Sequence, residues 1–183
     1  MDRRSELHEL LEAHRSLDDR EREFRARMLE LVAAPGDPFR RDRFDPGHFT
    51  ASAIVLAPEG RAMLEVYHAK LDRWLQPGGH VEPCDATLDR AARREVEEET
   101  GLFELGTEPG APVPFDLDIH PIPARREEPA HLHFDVRFLF HARTRTCRPG
   151  TGARAVRWAD LDRGSGRSSD SGLDRVRARL ARL

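Results

Sequence analysis

The stretch that decides the fold runs from Gly78 to Leu102 and reads GGHVEPCDATLDRAARREVEEETGL. It joins a glycine pair, which predicts a turn, to a helix whose last turns are rich in carboxylates. With Glu95 as reference and about 100° per residue, Glu98 lies at about −60° and Glu99 at about +40° around the helix axis. The three carboxylates therefore share one narrow arc of the helix.

The same arc is apolar in the first two turns of the helix, while the opposite side is charged. The apolar residues on the arc are Leu88, Ala91 and Ala92, and the water-facing residues are Asp89, Arg90, Arg93 and Glu97. An ordinary solvated helix has no reason to turn acidic on its core-facing stripe. Three carboxylates beside a low-dielectric core need compensation, which a hard divalent cation with oxygen ligands supplies. The pattern predicts a Mg²⁺ or Mn²⁺ site for phosphate chemistry.

An acidic surface patch is the alternative interpretation of this run. Arg94 lies four residues before Glu98 and can form an ordinary intrahelical ion pair with it. The neighbouring residues favour a built site, because Asp85 is predicted as the N-cap of the helix and Gly101 as the glycine that ends it.

These residues resemble the Nudix box, whose pattern is Gly-x5-Glu-x7-Arg-Glu-U-x-Glu-Glu-x-Gly-U, with U an aliphatic residue. Gly79 matches its first position. Its second half is matched without a gap by Arg94, Glu95, Val96, Glu98, Glu99, Gly101 and Leu102. Asp85 stands where the first glutamate is expected, and eight residues rather than seven separate it from Arg94. The role of that first acid therefore falls to Glu82, to Asp85 or to neither.

The resemblance implies both a fold and an activity. The fold is an α/β/α sandwich with a mixed β-sheet, to which this chain adds N-terminal helices and a C-terminal helix. The activity is that of a metal-dependent pyrophosphohydrolase, which cleaves a nucleoside diphosphate linked to another moiety by attack of water on phosphorus. The implied metal ligands are Gly79, Glu95, Glu98 and Glu99. The implied catalytic residues are Arg94, Glu95 and Glu98, and the candidates for the general base are Glu95, Glu127 and Glu128.

Residues 131–141 give the clearest strand signal, because apolar and polar side chains alternate. The polar row consists of His131, His133, Asp135 and Arg137. Such a row can face water on a half-solvated strand, but it is dense in groups that bind phosphate or metal, and we assign it to substrate binding. A transition-metal site at His131 and His133 is a weaker alternative, because no Cys or third His follows at a zinc spacing.

The rest of the chain predicts one domain with appendages. Residues 1–46 form an N-terminal helical extension and connector, with two helices between residues 4 and 33, and residues 47–183 form the Nudix domain with its C-terminal helix. Further strands are predicted at 49–57, 62–68, 102–105, 115–119 and 153–158. The N-terminal helices either cap the domain or support a homodimer. The glycine- and serine-rich run GSGRSSDSG predicts a flexible connector to the last helix.

Composition excludes several classes of function. The 183-residue chain has a net charge of −3, which provides no general attraction to nucleic acid or an anionic membrane. Its two cysteines form no disulfide framework, and no apolar N-terminal run or membrane-length segment is present. We therefore expect a soluble, cytoplasmic protein whose partner is a small organic diphosphate.

Two other functions remain possible for such a chain. A Nudix-fold sensor binds a nucleotide ligand without hydrolysing it, but the box acids that such proteins lose are intact here. Some relatives isomerise an allylic diphosphate with a catalytic cysteine, yet the surroundings of Cys84 do not resemble that motif. Release of orthophosphate or a nucleoside monophosphate would separate a hydrolase from both.

Overall fold

The computed structural model describes residues 2–68, 72–110, 113–125, 128–161 and 171–182 of the chain. They form an α/β fold with four helices and a mixed sheet, so the predicted fold class is confirmed. The helices are α1 (Arg3–Ala13), α2 (Asp19–Ala33), α3 (Leu88–Thr100) and α4 (Ser171–Leu180). The strands are β1 (Gly47–Leu56), β2 (Ala62–His68), β3 (Arg73–Leu75), β4 (Gly78–His80), β5 (Leu105–Thr107), β6 (Asp116–Ile122), β7 (His131–Ala142) and β8 (Val156–Asp160). No helix among the described residues combines the length and the apolar character needed to cross a membrane.

Contacts divide the chain into two compact units. The first unit contains Met1–Ser52, Gly78–Ala92 and Pro112–Phe138, and the second contains Ala53–Pro77, Arg93–Ala111 and Leu139–Leu183. Three elements, β1, β7 and α3, contribute residues to both units.

The two predicted N-terminal helices lie in the first unit, and an aspartate caps each of them. The Asp2 carboxylate accepts hydrogen bonds from two backbone N–H groups of α1, and Asp18 does the same for the N–H of Glu21 in α2. Glu21 is fully buried, and it accepts a hydrogen bond of 3.1 Å from the backbone N–H of Leu117 in β6. His14 lies 2.9 Å from the same carboxylate. These bonds cross the predicted boundary at residue 46, and the division into extension and domain stays a prediction.

The glycine pair of the first unit is a strand, and the predicted turn at Gly78 and Gly79 is wrong. Strand β4 pairs antiparallel with β1, with Ser52 opposite Gly78 and Thr50 opposite His80. A Cβ atom at Gly78 would lie 2.2 Å from Ser52 Oγ, so only glycine allows the two strands to approach this closely.

In the second unit, β1 and β2, which lie where two consecutive strands are predicted, form an antiparallel hairpin with Leu56 opposite Met63. Strand β2 also pairs with β3 and β8, and β5 pairs with the end of β7. The strand predicted at 102–105 is found as β5 from Leu105 onward, and Leu102 lies buried in the core with 1% of its surface exposed. The predicted connector GSGRSSDSG lies almost entirely outside the described residues.

The N-cap of α3 also differs from the prediction. The helix begins at Leu88, and the Thr87 hydroxyl accepts a 3.4 Å hydrogen bond from the N–H of Arg90. Asp85 lies too far upstream to cap it, and its carboxylate accepts a 2.8 Å hydrogen bond from the N–H of Glu82 in the preceding loop. Gly101 ends the helix as predicted, with a φ of +68° and its N–H donating to the Glu97 carbonyl at 2.9 Å.

Candidate functional site

The apolar start of α3 is buried as its periodicity predicts. Leu88, Ala91 and Ala92 are each at most 2% exposed. The carboxylates that follow are graded in exposure: Glu99 is buried, the Glu95 side chain is 15% exposed, and the Glu98 side chain is 48% exposed. The end of the helix therefore presents acidic oxygens from the edge of the core out to solvent.

Arg94 links two of these carboxylates within the second unit. Its Nη1 atom lies 3.0 Å from Glu95 Oε1 and 3.3 Å from Glu98 Oε2. One guanidinium between two carboxylates relieves their mutual repulsion and limits the rotamers of both. Arg94 therefore lies where it can position both carboxylates, while its catalytic role stays a prediction.

A loop of the second unit holds the carboxyl end of α3. The backbone N–H groups of Arg148, Gly150 and Thr151 donate to the carbonyls of Thr100, Glu99 and Glu98 at 2.9, 2.9 and 2.8 Å. These carbonyls have no partner within the helix, so the loop satisfies them. A Cβ atom at Gly150 would lie 2.0 Å from the Glu98 carbonyl oxygen, and only a residue without a side chain fits there.

The donor chemistry of α3 fits the implied metal. Glu95, Glu98 and Glu99 offer carboxylate oxygens, which are the ligands that Mg²⁺ and Mn²⁺ prefer. Gly79, the fourth predicted ligand, lies in β4 opposite Ala51. Its role as a ligand stays a prediction.

A second polar surface follows one face of the strands in the first unit. Strands β6 and β7 are paired so that His120 lies opposite His133, Asp118 opposite Asp135, and Asp116 opposite Arg137. Alternate residues of β1 contribute to the same face, because Thr50 and Ser52 both donate to Asp135. The polar row of β7 does not face water, because His131 is 8% exposed and Asp135 and Arg137 are 1% exposed.

One half of this face, which we call the ion-pair patch, is Arg137 with Asp116, Asp118 and Asp135. The guanidinium nitrogens Nη1, Nη2 and Nε lie 3.1, 3.0 and 2.9 Å from these carboxylates, in that order. Burial alone would lower the pKa of Arg137, but the charges of Asp118, Asp135 and Asp116 raise it above its ordinary value. The geometry gives Asp135 and Arg137 internal partners, and their assignment to substrate binding stays a prediction.

The other half, which we call the imidazole patch, contains His48, His80, His120, His131 and His133. The ring of His133 lies 4.9 Å from that of His48, 5.4 Å from that of His80 and 5.3 Å from that of His131, measured between centroids. Burial, followed by the neighbouring imidazoles, lowers the pKa of His80 to about 4 and that of His133 to about 2. Both rings are therefore neutral near pH 7.

A cavity of about 510 Å³ in the first unit reaches the imidazole patch at His80. Its other charged lining residues are Arg3, Asp37, Arg40, Arg41, Asp42, Glu82 and Glu128. Glu128, a candidate base, is exposed, and its carboxylate lies 3.8 Å from Arg41 Nη2. Glu127, the other loop candidate, lies outside the described residues.

Sequence reasoning did not identify two members of the imidazole patch. His48 lies on β1 in alternation with Thr50 and Ser52, and His80 follows the glycine pair. The alternation in β1 was a usable signal for His48. No local signal places His80 beside it, because that proximity depends on the pairing of β4 with β1.

The similarity of this chain to known proteins agrees with the resemblance of residues 79–102 to the Nudix box. A model of the NUDIX domain matches residues 46–173. A probable DHNTP pyrophosphohydrolase from Lactococcus lactis subsp. cremoris is 34% identical over 100 residues, which cover 54% of this chain and 57% of that protein. The matched part thus spans just over half of that relative's length.

Solved structures show the same fold at low identity. A NUDIX-family hydrolase from Clostridium perfringens has a TM-score of 0.52 at 20% identity, over 74% of this chain and 97% of its own. The dihydroneopterin triphosphate pyrophosphohydrolase of E. coli has a TM-score of 0.52 at 16% identity, over 74% and 93%. Since the domain model covers well over half of the residues and the box carboxylates lie at the end of α3, the chain belongs to the Nudix hydrolase family.

Proposed function

We propose that this protein is a metal-dependent pyrophosphohydrolase that cleaves a nucleoside diphosphate linked to another moiety, by attack of water on phosphorus. The observation that carries the proposal is the end of α3, where Arg94 lies between Glu95 and Glu98 and the carboxylates range from buried to half-exposed. A purely structural ion pair would not require a third carboxylate, Glu99, buried on the same arc.

Each box residue has a distinct task in this proposal. Glu98 is the most exposed of the three carboxylates and is placed to meet a cation that arrives from solvent. Glu99 and Glu95 are held more rigidly, because burial limits their rotamers. Arg94 keeps Glu95 and Glu98 together before any ligand binds, so that less ordering is needed afterwards.

Glu95, Glu98 and Glu99 would hold Mg²⁺ or Mn²⁺, with the Gly79 carbonyl as a further predicted ligand. A bound ion would neutralise the diphosphate and stabilise the charge that develops on its oxygens. The loop at Arg148–Thr151 keeps the helix end in place, because it binds the carbonyls of the residues that carry two of these carboxylates.

The general base is a choice between Glu95 and the loop glutamates. Glu95 contacts Arg94 at 3.0 Å and is already assigned as a metal ligand in this proposal. Glu128 is exposed to solvent, with which it can exchange a proton, and its contact with Arg41 at 3.8 Å is longer than that of Glu95 with Arg94. We therefore favour Glu128 over Glu95, with Glu127 as the neighbouring candidate.

The substrate should be sought first among compounds that the relatives name. Dihydroneopterin triphosphate belongs in the panel because of the 34% identity with the Lactococcus protein over the matched part. Dinucleoside polyphosphates and nucleoside diphosphate sugars complete it. We also propose a cytoplasmic location and leave the homodimer open to measurement by light scattering.

The test is hydrolysis of this panel with Mg²⁺ or Mn²⁺ by the wild-type protein and by Glu98→Gln. The amide preserves the shape of the side chain but removes the charge that a hard cation requires, and we expect a loss of about 100-fold or more in kcat. Products are identified by mass, and circular dichroism checks the fold of the variant.

Glu97→Gln is the matched control, because Glu97 is exposed on the outward side of the same helix turn. Its activity should stay within about 2-fold of the wild type, as expected for a solvated surface residue. Normal turnover by a folded Glu98→Gln variant would remove Glu98 from the site. Tight binding of a nucleotide without any product would instead identify a ligand sensor.

A further inference from the structure

We propose that His48, His80 and His133 form a binding site for a first-row transition-metal ion, with Zn²⁺ as its simplest occupant. All three residues belong to the first unit, and each offers one ring nitrogen within 4.8 Å of the other two. The ligand set is separate from the box carboxylates, and the proposal does not depend on hydrolysis.

The strongest evidence is the orientation of His48. Its Nδ1 atom lies 3.0 Å from the backbone carbonyl oxygen of Arg43, so Nδ1 must carry the proton and donate. Nε2 then has a bare lone pair. This atom is completely buried and has no hydrogen-bond partner among the described residues. A buried lone pair without a partner costs free energy, and a bound cation would remove that cost.

This arrangement is the usual one for a histidine ligand. Metal-binding imidazoles donate their second N–H to a carbonyl or carboxylate, which fixes the tautomer and aims the other nitrogen at the ion. His131, which stacks on His48 at 5.2 Å, shows the same pattern, with Nδ1 at 2.8 Å from the Pro129 carbonyl oxygen. The stacked ring of His131 helps to hold the ring of His48 in this orientation.

The spacing of the three nitrogens is compatible with tetrahedral zinc. Zn–N bonds of about 2.0–2.1 Å place two ligand nitrogens about 3.3 Å apart in a tetrahedron. The present spacing is at most 4.8 Å, so small rotations of His80 and His133, which are only partly buried, would close the site.

The donor type also selects the ion. Three neutral imidazoles suit Zn²⁺, Cu²⁺, Ni²⁺ or Fe²⁺, whereas Mg²⁺ and Mn²⁺ prefer oxygen ligands such as those of α3. The chain would therefore hold two kinds of metal ion by two kinds of donor. His80 also lines the cavity of about 510 Å³, which gives the ion a route from solvent.

The first experiment measures Zn²⁺ binding to the full chain after treatment with a chelator, by competition with a chromophoric chelator in the absence of substrate. We expect one Zn²⁺ per chain with a Kd below about 1 μM. Replacing Zn²⁺ by Co²⁺ should give the intense visible absorption of a four-coordinate site.

Variants then locate the ion. His80→Ala and His133→Ala should each weaken binding by about 100-fold or more, because each removes a direct ligand. Glu98→Gln and His8→Ala, which replaces an exposed histidine of α1, should bind Zn²⁺ as the wild type does. His120→Ala should change affinity by less than about 10-fold, because Nδ1 of His120 pairs with Asp118 at 3.2 Å and lies outside the ligand set.

A measurement on the unmodified chain covers the case in which a histidine variant fails to fold. The ¹⁵N NMR signals of the imidazole nitrogens should shift for His48, His80 and His133 on addition of one equivalent of Zn²⁺, with Nε2 of His48 as the coordinating atom. Shifts confined to other histidines would overturn the proposal. So would equal Zn²⁺ affinity in His133→Ala, loss of binding in Glu98→Gln, or no binding by the wild type.

Discussion

The two halves of the polar face in the first unit differ in how their buried polar side chains are paired. In the ion-pair patch, Arg137 directs three nitrogens at three carboxylates, and the hydroxyls of Thr50 and Ser52 donate to Asp135. In the imidazole patch, the rings pack against one another, and the Nε2 lone pair of His48 has no partner among the described residues.

The difference shows how one strand can carry both a structural and a ligand-binding surface. His133 and Arg137 lie on the same face of β7, four residues apart. Arg137 is surrounded by carboxylates that pair with it, whereas His133 is surrounded by other imidazole rings. Charges that satisfy each other stabilise the native state only while all partners are present. In the imidazole patch, the buried Nε2 atom of His48, which has no partner among the described residues, leaves capacity for a ligand. The ion-pair patch should therefore respond to mutation through stability, and the imidazole patch through binding.

The largest expected effect is the loss of the cation in the ion-pair patch. Arg137→Met removes the guanidinium that contacts Asp116, Asp118 and Asp135 and should lower the free energy of unfolding by about 3–5 kcal/mol. Urea unfolding measures this change. Arg143→Met, at an exposed position, is the control and should change stability by less than about 0.5 kcal/mol. Similar values for both variants would mean that the buried charges are not coupled.

A smaller effect is expected from a hydroxyl that supports the same patch. Thr50→Val preserves the shape of the side chain but removes its 3.0 Å hydrogen bond to Asp135. The loss of a hydrogen bond to a buried charged group should cost about 1.5–3 kcal/mol in unfolding free energy. Thr107→Val, on an exposed position of β5, is the matched control. A neutral result for Thr50→Val would indicate that the bonds from Ser52 and Arg137 satisfy Asp135 without Thr50.

The smallest effect on stability is expected in the imidazole patch. His133→Ala should lower the free energy of unfolding of the metal-free protein by less than about 1 kcal/mol. The ring is only partly buried and forms no ion pair among the described residues, so its loss leaves no buried charge without a partner. Phe134→Ala, on the opposite face of β7 and 1% exposed, should cost about 3–5 kcal/mol.

Zinc sharpens this last contrast. At a free concentration of about 100 times its Kd, Zn²⁺ should stabilise the wild type by about 2.7 kcal/mol and His133→Ala by much less. Thermal unfolding of both proteins with and without Zn²⁺ makes the comparison. An equal rise in both proteins would place the ion elsewhere.

The local features of the fold were readable from the sequence. Both N-terminal helices, the β1–β2 hairpin and the buried face of α3 follow from periodicity and turn residues, which act within about ten positions. The carboxylates of α3 were identified for the same reason, since a helix fixes the relative directions of Glu95, Glu98 and Glu99 without reference to the rest of the chain.

The wrong turn at the glycine pair, the covered polar row of β7 and the missed proximity of His80 share one physical cause, which is strand register. Gly78 and Gly79 predicted a turn, because two consecutive glycines are typical of turns. They instead form part of β4, whose pairing with β1 no local sequence pattern encodes. The polar row of β7 is covered because β1 and β6 bring their own polar residues to it. His80 joins His133 for the same reason. Pairing partners distant in sequence decide these surroundings, and one unaligned chain does not specify them.

The contact at Gly150 makes the box depend on a residue far outside it. The loop that carries Gly150 packs directly on the backbone of Glu98, at the last turn of α3. Any side chain at that position must displace either the loop or the turn that carries the acids. A chain could therefore retain every letter of the motif and still be inactive, and a survey of genomes that scores only the motif would count it as an intact enzyme.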